Sequence, residues 1–117
     1  MAHAPRPPHL SLRVILAKGV AFGPGKADLL EHIRDTGSIA AAGRRMKMSY
    51  TRAWGLVNDM NDDFVSPLVR SAKGGAGRGG AELTALGAEV LSRYRHLQSA
   101  AQRAAAADLK ALLAKLG

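Results

Sequence analysis

Cysteine is absent from the 117 residues, which excludes disulfides and thiolate metal sites and is compatible with a reducing cytoplasm. No apolar run approaches the roughly 20 residues needed to span a bilayer. The N-terminus also lacks the basic-then-apolar order of a signal peptide, so a soluble, cytoplasmic chain with no membrane role is expected. The four histidines, His3, His9, His32 and His96, show no metal-ligand spacing, and no carboxylate pair or Ser/His/Asp set converges. No metal, cofactor or catalytic activity is therefore expected. The glycines from Gly75 to Gly80 match GxGxxG, but no helix start follows and no acidic residue stands about 20 positions on. Nucleotide binding is rejected.

Acidic residues are also scarce, 9 against 17 Lys and Arg, which leaves a formal charge of +8 and a pI near 10.6. Such a balance suits a polyanionic partner, nucleic acid or an anionic membrane surface. The length suits one domain with a modest core.

The stretch from Gly37 to Phe64, GSIAAAGRRMKMSYTRAWGLVNDMNDDF, is the most informative. Ser38 can cap a short helix with Ile39, Ala42 and Met46 on one face, and Ser49 a second helix with Ala53, Val57 and Met60 on one face. Only Met46, Lys47 and Met48 lie between them, so the helices cross steeply through a tight turn, and Ala40, Ala41, Ala42 and Gly43 are small enough to allow it. This predicts a helix-turn-helix. Arg44, Arg45, Lys47 and Arg52 gather at the turn and the second helix's start with no acid among them, the pattern of a surface that meets phosphates. The second helix would present Tyr50, Thr51, Arg52 and Trp54 to base edges in a major groove, with its positive dipole end near the backbone. Trp54 has half-buried packing as a rival reading, and a favoured one; Ser38 and Ser49 are caps first and backbone contacts second. Gly43 and Gly55 each cost a helix about 1 kcal/mol relative to Ala, which close packing explains at Gly43 and approach to a neighbour is the only suggestion for at Gly55.

Residues 1–9 hold three of the five prolines and are expected to form a disordered arm. Leu10, Leu12, Val14 and Leu16 alternate as in a strand, Lys18 and Gly19 suit a two-residue turn, and Val20 and Phe22 return as a second strand. A helix is expected over 26–36, with Leu29, Leu30 and Ile33 inward, Asp28, Glu31, Arg34 and Asp35 outward, and Gly37 as its stop. After Phe64, a short extended piece at 67–71, the glycine-rich loop 73–80 and Glu82 to Thr84 describe a wing to which Arg70, Lys73 and Arg78 give three positive charges, expected to reach the DNA backbone or the minor groove beside the second helix. Thr84 can cap a last helix running to about Lys115, on which Leu86, Val90, Tyr94, Leu97, Leu109, Leu112 and Leu116 form a near-heptad seam with Ala101 and Ala105. Pairing two copies along that seam would set two recognition helices about 34 Å apart. The fold expected is mainly α with a small β component: a winged helix-turn-helix over 10–84 with an N-terminal β-hairpin, and a long C-terminal dimerisation helix over 85–117.

The segments from GPGKADLLEHIRDTGSIAAAGRRMKMSYTRAW onward, with SPLVR, the glycine loop and ELTALG, resemble the N-terminal DNA-binding domain of bacterial molybdate-responsive regulators of the ModE type, itself similar to the LysR winged helix. The likeness covers roughly residues 10–97. It implies that Ser49 to Met60 enters the major groove of double-stranded DNA, that the wing contacts DNA and that the last helix makes a homodimer, in a bacterial, nucleoid-associated regulator. Members of that family continue into β-barrel domains that bind molybdate, whereas this chain reaches only Gly117, so a molybdate response is expected to come from a separate sensing protein or to be absent. An architectural DNA protein, and a winged-helix protein-interaction module, are the alternatives from other classes.

Overall fold

The computed structural model describes residues 6–72 and 80–117. Residues 1–5 of the expected arm, and the wing-tip residues Lys73 and Arg78, lie outside the described residues.

The hairpin comes first. Strand β1 (Val14–Ile15) pairs antiparallel with β2 (Ala21–Phe22), Val14 opposite Phe22. It is shorter than the alternation predicted, because residues 10–13 bond outside the ladder, the Leu10 N–H to Gln102 Oε1 at 2.9 Å and the Leu12 carbonyl to the Tyr94 hydroxyl; Leu16 still donates to the Val20 carbonyl at 2.6 Å but is 40% exposed rather than inward. The Val20 N–H closes the turn on the Ala17 carbonyl at 3.3 Å. Both central residues, Lys18 and Gly19, have positive φ, 62° and 77°, as a tight hairpin turn requires.

Helix α1 (Pro24–Thr36) starts two residues before the predicted Lys26, with proline in its first turn where no N–H is needed, and ends at Gly37 with φ of 71°. Leu29, Leu30 and Ile33 are fully buried. The predicted outward set is only half right. Asp28 and Glu31 are held by Arg95 of the last helix, whose Nη2 lies 2.8 Å and 3.1 Å from their carboxylates, while Arg34 and Asp35 are exposed and pair with each other.

Helices α2 (Ile39–Arg45) and α3 (Tyr50–Asp63) follow, then strands β3 (Val69–Ala72) and β4 (Gly80–Leu83), which pair antiparallel with Val69 opposite Leu83 and Ala72 opposite Gly80. The Ala81 N–H donates to the Gly37 carbonyl at 2.9 Å, fastening β4 to the α1–α2 corner. Helix α4 (Ala85–Leu113) closes the chain, two residues short of the predicted Lys115. Inward residues of all these elements, Phe22, Ile39, Ala53, Val57, Met60, Leu68, Leu91 and Tyr94 among them, join those of α1 in one core. The result is a three-helix body with a two-stranded wing, and no described helix is long and apolar enough to cross a membrane.

Tyr94 is 2% exposed. Its ring meets Phe22 edge-on at 5.2 Å, and its hydroxyl donates to the Leu12 carbonyl. Burial raises the phenol's pKa above its ordinary 10.0, since the phenolate would sit in apolar surroundings and could no longer donate. The unfolded chain ionises near 10 and the folded chain holds the proton to higher pH, so stability is complete below pH 10 and falls as pH climbs past it. Tyr94→Phe is expected to cost about 1 kcal/mol near neutrality and to lose less stability than the parent between pH 9 and 11, measured by urea unfolding at each pH.

Candidate nucleic-acid interface

Both helix starts of the helix-turn-helix are fixed by local chemistry. The Ser38 hydroxyl accepts from the Ala41 N–H and the Ser49 hydroxyl from the Arg52 N–H, each at 3.1 Å, so both serines are committed as caps. Gly43 explains how closely the helices cross: a Cβ there would lie 3.0 Å from the Ala53 Cβ. In the turn, the Met48 N–H donates to the Gly43 carbonyl at 3.0 Å, and Lys47 adopts φ of 57°. That left-handed conformation costs a lysine roughly 1–2 kcal/mol and was not legible in the sequence. Gly55 is different. A Cβ there meets nothing within 4 Å, so no neighbour within the described chain accounts for it.

With Ala53, Val57 and Met60 turned to the core, helix geometry puts Tyr50, Thr51, Arg52 and Trp54 on the surface. Tyr50 is 59% exposed and Trp54 37%; their rings meet edge-on at 6.1 Å. Trp54 is thus neither buried nor free. It packs edge-on against Tyr50 and lines a groove of about 350 Å³ with Ile39, Asn61, Val69 and Arg70, between α3 and the wing strands. Asn58, not singled out from the sequence, is also exposed and lies seven residues, two helical turns, beyond Thr51 on the same line. That spacing was the signal available.

Arg44, Arg45 and Arg52 are exposed, with no carboxylate within ion-pair distance among the described residues. Lys47 is exposed in the turn beside them. Asp59 and Asp62 are exposed on the later turns, and Asp63 faces Lys26 at 3.9 Å. The first turn of α3 therefore carries uncompensated positive charge and its last turns do not. The wing departs from expectation at Arg70. Directly opposite Glu82 in the ladder, it forms an ion pair at 2.7 Å, so its charge is cancelled and only Lys73 and Arg78 remain of the three cations assigned to the wing.

No protein-family model matches the chain. It is 37% identical over 86 residues to the molybdenum-pterin-binding protein MopB of Rhodobacter capsulatus, which covers 74% of this chain and 32% of that protein. It is 40% identical over 81 residues to the transcriptional regulator ModE of Yersinia pestis, covering 69% of this chain and 31% of the relative. Against the DNA-binding transcriptional dual regulator ModE of Escherichia coli (strain K12) the identity is 38% with the same shares. Over 69–74% of its length the chain is thus similar to ModE and MopB. It spans about a third of the length of the relatives it matches. Its fold is shared with the solved structure "Crystal structure of CbnR_DBD-DNA complex" at a TM-score of 0.59 and 22% identity, over 75% of this chain and 95% of that one, as the winged helix-turn-helix predicted.

Helix α4 is rotated relative to the predicted seam. Gly87, Leu91 and Tyr94 face the chain's own body, so Tyr94 is a core residue and not a free contact for a second copy, and Leu91 is a core residue the seam missed. Leu86 and Val90 are half-buried on the flank, lining an apolar groove of about 270 Å³ with Val14, Phe22, Phe64 and Leu97. Beyond the body, Leu109 is half-buried, and Leu97, Leu112 and Leu116 are 50%, 66% and 74% exposed. The physical reason is Gly87: where α4 passes Leu68 only a residue without Cβ fits, and that contact sets the helix's rotation.

Proposed function

We propose that this chain is a sequence-specific, DNA-binding transcriptional regulator of the ModE type, not an enzyme, acting in the bacterial cytoplasm as a homodimer on double-stranded DNA. The observation that carries the reading is the exposed first turn of α3: Arg52, Thr51 and Tyr50 stand clear of the core beside Arg44, Arg45 and Lys47, and no acid neutralises the three arginines among the described residues. An α-helix presented this way fits a major groove, arginine to guanine and the remaining cations to phosphate. Lys73 and Arg78 of the wing add backbone contacts, and the ModE and LysR-like relationships support the same use of the fold. Pairing through the exposed leucines of α4 supplies the two-fold symmetry a palindromic site needs.

The test is selection of bound fragments from the native genome, followed by affinity measurement at fixed salt. A selected site is expected to bind at least about 10³-fold more tightly than random duplex, as two copies of the chain. Arg52→Ala is expected to weaken the selected site by about 1–3 kcal/mol and to relax preference at one position per half-site. A chain that binds every duplex alike is an architectural protein instead, the role that charge alone supports. One that keeps its cellular function after charge reversal at Arg44, Arg45 and Arg52 is an interaction module.

A further inference from the structure

A second cationic feature lies outside the helix-turn-helix. Arg13, Gly23, Pro24, Lys26, Met48 and Arg52 line one groove of about 290 Å³, so the hairpin, the first turn of α1 and the first turn of α3 each place a basic side chain on the same small surface. Lys26 is tethered, its Nζ donating to the Ala21 carbonyl at 2.7 Å and facing Asp63 at 3.9 Å. Arg13 and Arg52 are exposed and meet no carboxylate within ion-pair distance among the described residues. The stem of Arg13 rests on Gly23, where an added Cβ would come 3.6 Å from Arg13 Cγ, which keeps the arginine over the groove. Two unpaired guanidiniums on separate elements flanking one hollow repel each other until an anion enters, and planar bidentate donors fit phosphate oxygens well.

The groove's position names the anion. It borders the hairpin side of α3, whereas Trp54 and the wing strands occupy the other side. A helix seated in a major groove about 12 Å wide has one phosphate backbone on each flank. The wing serves one. We propose that Arg13, with Arg52 and Lys26, grips a backbone phosphate of the opposite strand, making the N-terminal hairpin part of the DNA interface. This rests on the DNA-binding reading above, and on the three side chains rather than on the helix end beneath them.

The experiment compares the full chain with Arg13→Ala, Arg13→Gln and Arg13→Lys on the genome-selected duplex and on a scrambled duplex of equal length, from 50 to 300 mM salt. Losing one phosphate contact per subunit, two in the dimeric complex, is expected to lower affinity on the order of 25- to 100-fold at 0.1 M salt and to reduce the log–log salt slope by about 2, equally for both duplexes. Arg13→Lys keeps the slope. Arg13→Gln retains the stem that covers Gly23 and, with an unfolding midpoint matching the parent, separates loss of charge from loss of fold. A parent-like slope in the Ala and Gln variants overturns the proposal while leaving the regulator reading intact, as does a loss confined to one base pair, which would make Arg13 a base reader. Failure of the parent chain to bind duplex DNA overturns the regulator reading and this inference together.

Discussion

Gly87→Ala is expected to destabilise the fold by about 3–5 kcal/mol, a large share of the roughly 5–15 kcal/mol that holds a domain of this size together. A Cβ at this position would lie 2.1 Å from the Leu68 carbonyl oxygen and 2.9 Å from its carbon. The obstruction is backbone, so no rotamer change relieves it. Leu68 is itself fully buried, and its carbonyl accepts the Thr84 N–H at 2.9 Å. The same corner holds the cap of α4, where the Thr84 hydroxyl accepts from the Gly87 N–H at 3.0 Å and donates to the Pro67 carbonyl at 2.7 Å. Pushing α4 away from Leu68 strains these three bonds and lifts Leu91 and Tyr94 from the core. Overpacking usually costs 1–3 kcal/mol because side chains shift aside; here only a backbone can move, which places the effect above that range. Thermal or urea unfolding of Gly87→Ala beside Gly55→Ala gives the comparison. Gly55 has open space around it, so its substitution tests glycine removal without a clash, and equal stability of the two variants would refute the role assigned to Gly87.

The same glycine shows where sequence reading stops. Caps at Ser38, Ser49 and Thr84, and the left-handed stop at Gly37, were legible because each depends on residues within a few positions. The inward faces of α1 and α3 were legible from period 3.6, since their apolar residues are bounded by polar ones. On α4 the period was right and the phase was not. Alanines and leucines on several faces leave the rotation undecided, and the residue that decides it, Gly87, acts through a carbonyl 19 positions earlier. Charge was misjudged for a similar reason. Arg70 read as a free cation until the strand register set it opposite Glu82, and Asp28 and Glu31 read as solvated until α4 brought Arg95 to them. Arg13 looked like one polar residue in an alternating strand; its companionship with Arg52 comes from the way the hairpin folds onto α1. Pairings between distant elements carry no local signal, whereas capping and periodicity do.

Asn61→Ala is expected to loosen the wing from α3, at a stability cost of about 2–4 kcal/mol. Asn61 sits in the last turn of α3, and its Oδ1 accepts both the Leu68 N–H at 2.9 Å and the Val69 N–H at 3.1 Å, while its Nδ2 donates to the Val69 carbonyl at 3.1 Å. One side chain therefore satisfies three backbone groups at the base of β3, beside side chains that are nearly inaccessible. Truncation leaves those groups without partners in a part-buried corner, at about 1–3 kcal/mol for each group that water fails to reach. Leucine in place of Asn61 is expected to be no better, because it fills space and still leaves the polar groups unpaired. Amide exchange locates the damage: the Leu68 and Val69 amides should lose protection in Asn61→Ala while the Ile33 amide in α1 keeps it, and parent-like protection at both would reject the role given to this side chain. The consequence for function follows from geometry. The wing strands and α3 flank one groove, and in the proposed complex they face the duplex together, so a wing base free to rock would spread its contacts over many orientations. Asn61→Ala should then bind the selected DNA site more weakly than the parent even at temperatures where both are fully folded.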